Sequence, residues 1–126
     1  MYNTFILDII TFVNGEAREY ASPGEAVTVS VRLKNLGDQG LYIKTTGVRD
    51  SSQLSFSPDS SWSEYLQTIY FLSGFTMPSS NVKITAYGWW WDGYQWINDS
   101  WKEKDLLLAA AVPEFTDFRI AQYQKV

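Results

Sequence analysis

Residues 26–34 read AVTVSVRLK, and this stretch decides how the chain folds. Its odd-numbered positions, from Val27 to Leu33, are apolar, whereas polar Thr, Ser, Arg and Lys residues alternate with them. Alternation with a period of two is typical of a β-strand that has one face in the core and the other in water. The preceding residues 22–25, SPGE, have Pro and Gly where a type II turn needs them. The stretch therefore predicts a half-buried antiparallel strand that follows a tight turn.

Segments of the same character follow along the chain. Apolar or alternating runs bounded by turn residues predict strands over 41–48, 65–77, 81–91, 94–98 and 106–112. The segment 51–63 contains seven serines and Pro58, which predicts an exposed loop. Only residues 101–111 also fit a helix. Short strands with turn signals between them predict an all-β fold, an antiparallel β-sandwich of about seven to eight strands.

The composition excludes several classes of function. The chain has 126 residues, no Cys, no His and a formal charge of −4. This length fits one domain, and the missing residue types exclude disulfides, thiolate zinc sites and histidine-based catalysis. An acidic chain does not attract phosphates, so we expect no nucleic-acid partner. No apolar run approaches the ~20 residues of a spanning helix, so we expect no membrane insertion.

The acidic residues give no convincing sign of catalysis. A glycosidase-like pair could be drawn from the acids near the hairpin, but fourteen acids in a small domain produce such pairs by chance. The acids concerned are Asp92, Asp99, Glu103 and Asp105. The sequence has neither the D-x-D-x-D-G spacing of a calcium loop nor a Gly-rich phosphate loop. We therefore expect no enzyme activity, no metal site and no cofactor.

Three stretches resemble bacterial and archaeal immunoglobulin-like modules. Residues 22–40, SPGEAVTVSVRLKNLGDQG, have the PGE, alternating valines and N-x-G of such modules, and the CARDB (cell-adhesion-related) type is similar. Residues 75–87, FTMPSSNVKITAY, resemble the end of one strand and the start of the next in these modules. Residues 91–101, WDGYQWINDSW, look like the F–G hairpin of relatives in phage and archaeal structural proteins. The resemblance implies an Ig-like sandwich without catalytic residues.

Residues 119–123, RIAQY, echo the pattern of residues 8–12, DIITF, which suggests a boundary at Pro113-Glu114-Phe115. We expect the Ig-like sandwich to span residues 1–112 and a C-terminal extension to span residues 113–126. Phe115–Val126 is expected to form an added edge strand. Such a strand either covers an edge of its own sheet or extends the sheet of a neighbour.

Aromatic residues concentrate in one predicted hairpin. Seven of the 21 aromatic residues lie within Tyr87–Trp101. Asp92-Gly93 lies between aromatic flanks, which predicts a two-residue type I′ turn. That turn would pair Trp89 with Trp96.

Alternation predicts which face each ring occupies. Four rings are expected together on the polar face of the hairpin: Trp89, Trp91, Tyr94 and Trp96. Trp90 and Ile97 are expected on the core face. A bulge at Gly88 would reverse this assignment and place Trp90 outside.

The hairpin rings have a structural and a functional interpretation. Cross-strand aromatic pairs stabilise a hairpin by roughly 0.2–1 kcal/mol each, which alone is a reason for their presence. Clustered Trp and Tyr also dominate interface hot spots, and monomers rarely expose large apolar patches. The candidate binding residues are Trp89, Trp91, Tyr94, Trp96 and Trp101.

Two kinds of ligand suit such a surface. A protein partner would accept the rings in its pockets, whereas a sugar would stack on an indole. The polar groups available to sugar hydroxyls are Asp92, Gln95, Asn98 and Asp99. We favour protein, because small-molecule sites are concave and hairpins are convex.

These expectations lead to two functions. The first is a non-enzymatic structural or binding module in a repeating, oligomeric surface assembly. It would make protein–protein contacts with copies of itself or with capsid, tail or surface-layer subunits. A virion component, such as a capsid decoration or tail accessory protein, is the expected form. The alternative is a cell-surface adhesion or carbohydrate-binding module of a secreted protein. The expected location is the virion, or the cell exterior if a leader has been removed.

Overall fold

The computed structural model describes residues 3–109, which form ten strands in two packed sheets. The strands are β1 (Thr4–Val13), β2 (Glu16–Ala17), β3 (Tyr20–Ala21), β4 (Ala26–Asn35), β5 (Leu41–Arg49), β6 (Ser52–Leu54), β7 (Ser61–Ser63), β8 (Thr68–Thr76), β9 (Val82–Trp91) and β10 (Trp96–Leu108). Over this range no helix is long and apolar enough to cross a membrane.

The two sheets have the strand order of a Greek-key sandwich. The smaller sheet is ordered β2-β1-β4-β8, and the larger is ordered β3-β10-β9-β5-β6, with β7 also paired to β5. Thus β1-β4-β8 correspond to strands A, B and E, and β10-β9-β5 to G, F and C. The predicted all-β sandwich is confirmed. The two- and three-residue strands raise the count above seven or eight, and β3 runs parallel to β10 rather than antiparallel.

The core lies between the inner faces of the two sheets. The alternating residues of β4, from Val27 to Leu33, are at most 2% exposed, as the sequence predicts. Val82 and Ile84 of β9 belong to the same buried cluster. Each such side chain contributes about 1.5–3 kcal/mol when it leaves water. The central strands therefore hold the sandwich together.

Asn35 ends β4 and ties the following loop to the core. This residue is fully buried; its Oδ1 accepts the Gly37 N–H at 2.8 Å, and its Nδ2 donates to the carbonyls of Gln39 and Ser63. A Cβ at residue 37 would lie 3.0 Å from Leu41 Cδ1, which is a tight approach. The N-x-G pattern thus has a structural reason: the buried Asn35 amide has hydrogen-bond partners for both its oxygen and its nitrogen, and the space at residue 37 is too small for a side chain.

The predicted type II turn is present at residues 22–25, whereas a turn of the type I′ kind occurs at a different place from the one predicted. Glu25 N–H donates to the Ser22 carbonyl at 3.2 Å and Gly24 has φ of +88°, as the predicted type II turn requires. The turn with two successive positive φ angles, typical of type I′, is Asn14-Gly15, between β1 and β2.

The segment 51–63 is not wholly an exposed loop, so that prediction is wrong in part. It contains β6 and β7, and both Leu54 and Phe56 are buried. Each of these strands is three residues long and pairs with β5. Three residues are too few for an alternating pattern to indicate a strand in the sequence.

The predicted strands 94–98 and 106–112 also need correction. Residues 96–108 form one continuous strand, β10, whose polar middle lies at an edge of the larger sheet and reads as loop in the sequence. The predicted end of the domain at residue 112 and the predicted edge strand Phe115–Val126 lie outside the described residues and stay predictions.

A bulge in β10 joins this strand to the start of β1. Asp99 is the extra residue, since Asn98 pairs with Trp89 and Ser100 with Gly88. Its carboxylate accepts the Asn3 N–H at 2.7 Å and the Thr4 hydroxyl. Bulges of this kind re-aim the residues that follow them.

We call these contacts between β1 and β10 the seam, and Gly88 leaves space for them. A Cβ at this position would overlap the Ser100 hydroxyl and approach Leu33 Cδ1 to 2.7 Å. The Ser100 hydroxyl is instead 2.8 Å from Thr4 Oγ1. The seam between β1 and β10 therefore closes one edge of the sandwich.

Replacing Asp99 by Ala is expected to lower the free energy of unfolding by about 2 kcal/mol, because two partly buried donors lose their acceptor. Urea denaturation measures this loss, and hydrogen exchange of the β1 amides nearest Thr4 should accelerate. The exposed Asp38 provides the control, since Asp38→Ala should change stability by less than about 0.5 kcal/mol. Equal losses in both variants would contradict the role of the seam.

A bidentate ion pair spans the outer face of the smaller sheet. Arg32 Nε lies 2.9 and 3.1 Å from the two carboxylate oxygens of Asp8, and the Arg32 Nη2 group also donates to this carboxylate. The Arg32 hydrogen bond lowers the pKa of Asp8, while burial opposes the shift and the positive charge of Arg32 adds to it. The ionised carboxylate is therefore favoured in the folded state.

This shift makes stability depend on pH in one direction. A carboxyl group with a lowered pKa in the folded state contributes stability above its unfolded value and loses it as the pH falls through the folded value. Asp8→Asn should therefore cost about 1 kcal/mol at neutral pH, and the difference should shrink below about pH 4. Urea denaturation across pH measures this. A difference that stays constant down to strong acid, or an equal effect of Asp38→Asn, would refute it.

Candidate functional site

The hairpin between β9 and β10 has a four-residue loop instead of the predicted two-residue turn. Trp91 pairs with Trp96, and residues 92–95 connect them. The predicted pairing of Trp89 with Trp96 is therefore wrong, since Trp89 pairs with Asn98.

The Asp92 side chain explains this longer loop. Its Oδ1 accepts the N–H groups of Tyr94 and Gln95 at 2.7 and 2.8 Å. Asp92 N–H in turn donates to the Gln95 carbonyl at 3.1 Å, and Gly93 has φ of +103°. Aspartate that bonds to its own following backbone forms such turns without needing a positive φ itself.

The hairpin tryptophans lie on the predicted faces of the sheet, although the pairing register differs from the predicted one. A shift by two residues preserves the face of every side chain, because strands alternate with a period of two. Trp89, Trp91 and Trp96 therefore lie on the outer face of the larger sheet, as predicted. Trp90 packs against the core, also as predicted. Tyr94 is different, since it lies in the loop and is 91% exposed.

The bulge determines where Trp101 points. Trp96 and Trp101 are five positions apart, so a regular strand would place them on opposite faces. The extra residue Asp99 corrects the alternation, and Trp101 pairs directly with Tyr87. Trp101 consequently joins the outer face, where it is 64% exposed.

Two further rings extend this face across β5 and β7. Tyr42 and Trp62 are directly paired, with ring centroids 5.0 Å apart and planes at 73°. Trp62 Nε1 donates to Glu64 Oε2 at 2.6 Å, and a Cβ at Gly40 would overlap its ring. Sequence reasoning missed Trp62 because it lies in the serine-rich segment, where a strand of three residues is too short for alternation to indicate it.

We call this outer surface the aromatic face. It comprises Tyr42, Trp62, Tyr87, Trp89, Trp91, Trp96 and Trp101.

Specific contacts hold the central rings of the aromatic face in place. Lys44 Nζ lies 4.5 Å from the Trp96 ring centroid and 5.6 Å from that of Trp89. Trp89 Nε1 donates to Thr46 Oγ1 at 2.8 Å, and the Trp91 and Trp96 rings meet edge to face at 5.4 Å. Cation–π and aromatic pairs each contribute roughly 0.5–1.5 kcal/mol. These contacts therefore fix the orientation of the rings within the protein.

The polar side chains predicted to bind sugar hydroxyls are largely engaged within the protein. Asp92 organises the loop, and Asp99 bonds to the start of β1. Asn98 Nδ2 donates to the carbonyls of Gly88 and Ser100. The convex hairpin therefore offers indole surfaces with few free hydrogen-bonding groups beside them.

At one edge, the aromatic face adjoins an open groove of ≈ 350 Å³ between β1 and β10. Trp101, Phe5 and Leu36 supply its apolar walls, and all three are exposed. Among residues 3–109, no three His, Cys, Asp or Glu side chains come together in a way that could hold a metal ion. The groove thus combines these apolar walls with polar side chains such as Ser100 and Lys102.

Comparisons with known proteins support the fold. No protein-family model and no curated protein matches the sequence. Among solved structures, the chain is similar to part of E. coli α2-macroglobulin in its native conformation, determined by cryo-EM, with a TM-score of 0.54 and 15% identity. The match covers 79% of this chain and 6% of that one. The chain thus folds as an immunoglobulin-like β-sandwich, and it spans a small part of the matched protein's length.

Trp91→Leu should abolish the exciton couplet that the Trp91–Trp96 pair produces in far-UV circular dichroism, because the two indoles no longer couple. It should also cost about 1 kcal/mol of stability. Trp62→Leu is the matched control, since Trp62 packs against a tyrosine, and it should keep the couplet. A couplet that persists in Trp91→Leu would contradict the pairing.

Proposed function

We propose that this chain is a non-enzymatic binding module whose copies associate through the aromatic face within a repeating surface assembly. The observation that carries this proposal is the exposure of several ordered rings on one sheet face. Trp62 is 48% exposed and Trp101 is 64% exposed. Contiguous exposed aromatic surface is typical of interaction sites and uncommon on monomers.

The arrangement of these rings also fits a protein partner. Interface hot spots are rich in Trp and Tyr, and rigid rings lose little conformational entropy on binding. The contacts of Lys44 with Trp89 and Trp96 supply that rigidity. The engagement of Asp92 and Asp99 within the protein favours protein over sugar at the hairpin itself.

The assembly that we propose is a virion, with the chain as a capsid decoration or tail accessory protein. The resemblance of residues 91–101 to the F–G hairpin of phage and archaeal structural proteins supports this form. Addition of Phe115–Val126 as a strand to a neighbour would be a second route of contact, on residues outside the described part of the chain.

The alternative function is a CARDB-type adhesion or carbohydrate-binding module at the cell surface. The observation that favours it is the N-x-G loop, whose buried Asn35 amide gives a structural reason for the resemblance. A partner at the cell surface would still use exposed indoles, such as Trp101. The location of the protein, in virions or on cells, separates the two functions.

Sedimentation velocity over a concentration series tests the proposed contact. The protein should associate as its concentration rises, and the double variant Trp91→Ala/Trp101→Ala should weaken this association by at least about 30-fold, as for hot-spot residues. Tyr65→Ala is the control, because Tyr65 is 57% exposed but lies outside the aromatic face. A protein that stays monomeric throughout, or a double variant that associates like the parent, would refute the proposal.

A further inference from the structure

The larger sheet has an open edge along β10. β3 pairs with this edge only at residues 107–108, and among the described residues no strand pairs with residues 101–105 on that side. The Leu107 N–H donates to the Glu19 carbonyl at 2.9 Å, so it points to this edge. Backbone groups alternate in direction along a strand, so every second residue before Leu107 points to the same edge. The residues concerned are Trp101, Glu103 and Asp105.

The pairing of Asp105 with Lys83 gives the same direction independently. The Lys83 carbonyl accepts the N–H of Asp50, which follows β5 on the other side of β9, at 2.8 Å. The backbone groups of Lys83 therefore face β5, so the Lys83–Asp105 pair exchanges no ladder hydrogen bonds. The backbone groups of Asp105 consequently point away from β9 and toward the open edge.

The dimensions of the open edge suit an added strand. Residues 101–105 span about 17 Å, which is the length of an ordinary five-residue strand. The groove of ≈ 350 Å³ between β1 and β10 lies beside the first of these residues. It leaves space for the inward-pointing side chains of an added strand, and its lining includes both apolar Phe5 and polar Lys102. An extended peptide that pairs with a free edge is a common mode of protein recognition.

The chain itself contains a segment that complements this edge. Residues 101–105 read WKEKD, so an aromatic residue precedes an acid by four positions. Residues 119–123 read RIAQY, so a base precedes an aromatic residue by the same spacing. Antiparallel alignment of the two sets the base opposite the acid and the two rings opposite each other, and both kinds of cross-strand pair are stabilising. The pairs are Arg119 with Asp105 and Tyr123 with Trp101.

The position of β3 favours the segment of a neighbouring copy over the chain's own segment. β10 ends at Leu108, and β3 occupies the edge directly beside this end. A tight hairpin that turned back from the end of β10 would begin on the edge that β3 already fills. The chain's own segment would have to pass around β3, whereas the segment of a neighbour meets no such obstacle.

We propose that residues 119–123 of one copy add as an antiparallel strand to residues 101–105 of β10 in a second copy. Each copy offers one edge and one strand, so the contact is head-to-tail and builds a ring or a filament of copies. This inference rests on the proposed association of copies. It uses the edge of the larger sheet, however, and shares only Trp101 with the aromatic face.

Mixed-isotope NMR of the full chain tests this contact, because a chain without native cysteine accepts a single nitroxide label. Gln124→Cys carries the label on isotopically unlabelled protein, and the isotope-labelled parent is observed. The amide signals of residues 101–105 should broaden in the mixture. A label on Gln53→Cys, an exposed position at the opposite edge of the sheet, is the matched control and should leave these signals sharp.

Glu103→Pro removes an N–H group from the open edge and spares the ladder with β9, since Pro is tolerated where the N–H faces solvent. It should weaken the contact by roughly 10-fold or more, because a hydrogen bond is lost and the ring obstructs the added strand. Glu103→Ala, the matched control for the lost carboxylate, should retain the contact. Arg119→Glu in one copy should also weaken it, and Asp105→Arg in the other copy should restore it.

Trp91→Ala in both copies separates this inference from the proposed function, because it changes the aromatic face and leaves the open edge intact. The broadening should persist in this variant. The inference is overturned if the mixture shows no broadening at residues 101–105, if Trp91→Ala removes it, or if Glu103→Pro behaves like Glu103→Ala. It is also overturned if broadening appears only in chains that carry both label and isotope, since the segment would then cover its own edge. Copies that associate without this broadening would refute the strand addition and leave the aromatic-face contact standing.

Discussion

The hydrogen bonds that Asn3 and Thr4 donate to the Asp99 carboxylate are the constraint on which one edge of the sandwich and the direction of Trp101 depend. They hold one extra residue in β10 and fasten the two sheets together along one edge. Because that residue restores the alternation, Trp96 and Trp101 both face outward. The same few contacts therefore close the sandwich and complete its aromatic face.

The two faces of the larger sheet differ in what they contact. Its inner side, with Ile84 and Ala86, packs on the buried valines of β4 and stabilises the fold. Its outer side carries ordered rings, which neighbouring polar groups such as Lys44 and Thr46 hold in position. The rings of the aromatic face are placed by a sheet rather than by a flexible loop, so their orientation is fixed within the protein.

Sequence reasoning succeeded where a pattern was long enough. Alternation over 26–34 identified both the strand and its buried face, and the faces of Trp89, Trp90 and Trp91 followed in the same way. It failed at the hairpin loop, because the Asp92 carboxylate accepts the N–H groups of Tyr94 and Gln95 instead of Asp92 adopting a positive φ. It also missed Trp62, whose short strand is paired by β5. Three residues carry no period of their own.

The sequence by itself determined the all-β class, the core strand at 26–34 and the outward direction of Trp89 and Trp91, because these depend on alternation within one strand. Tertiary structure alone decided the pairing of Trp91 with Trp96, the bulge that redirects Trp101, and the meeting of Tyr42 with Trp62. Each of these depends on hydrogen bonds between strands or within a loop. Such bonds join residues that no repeating pattern in the sequence connects.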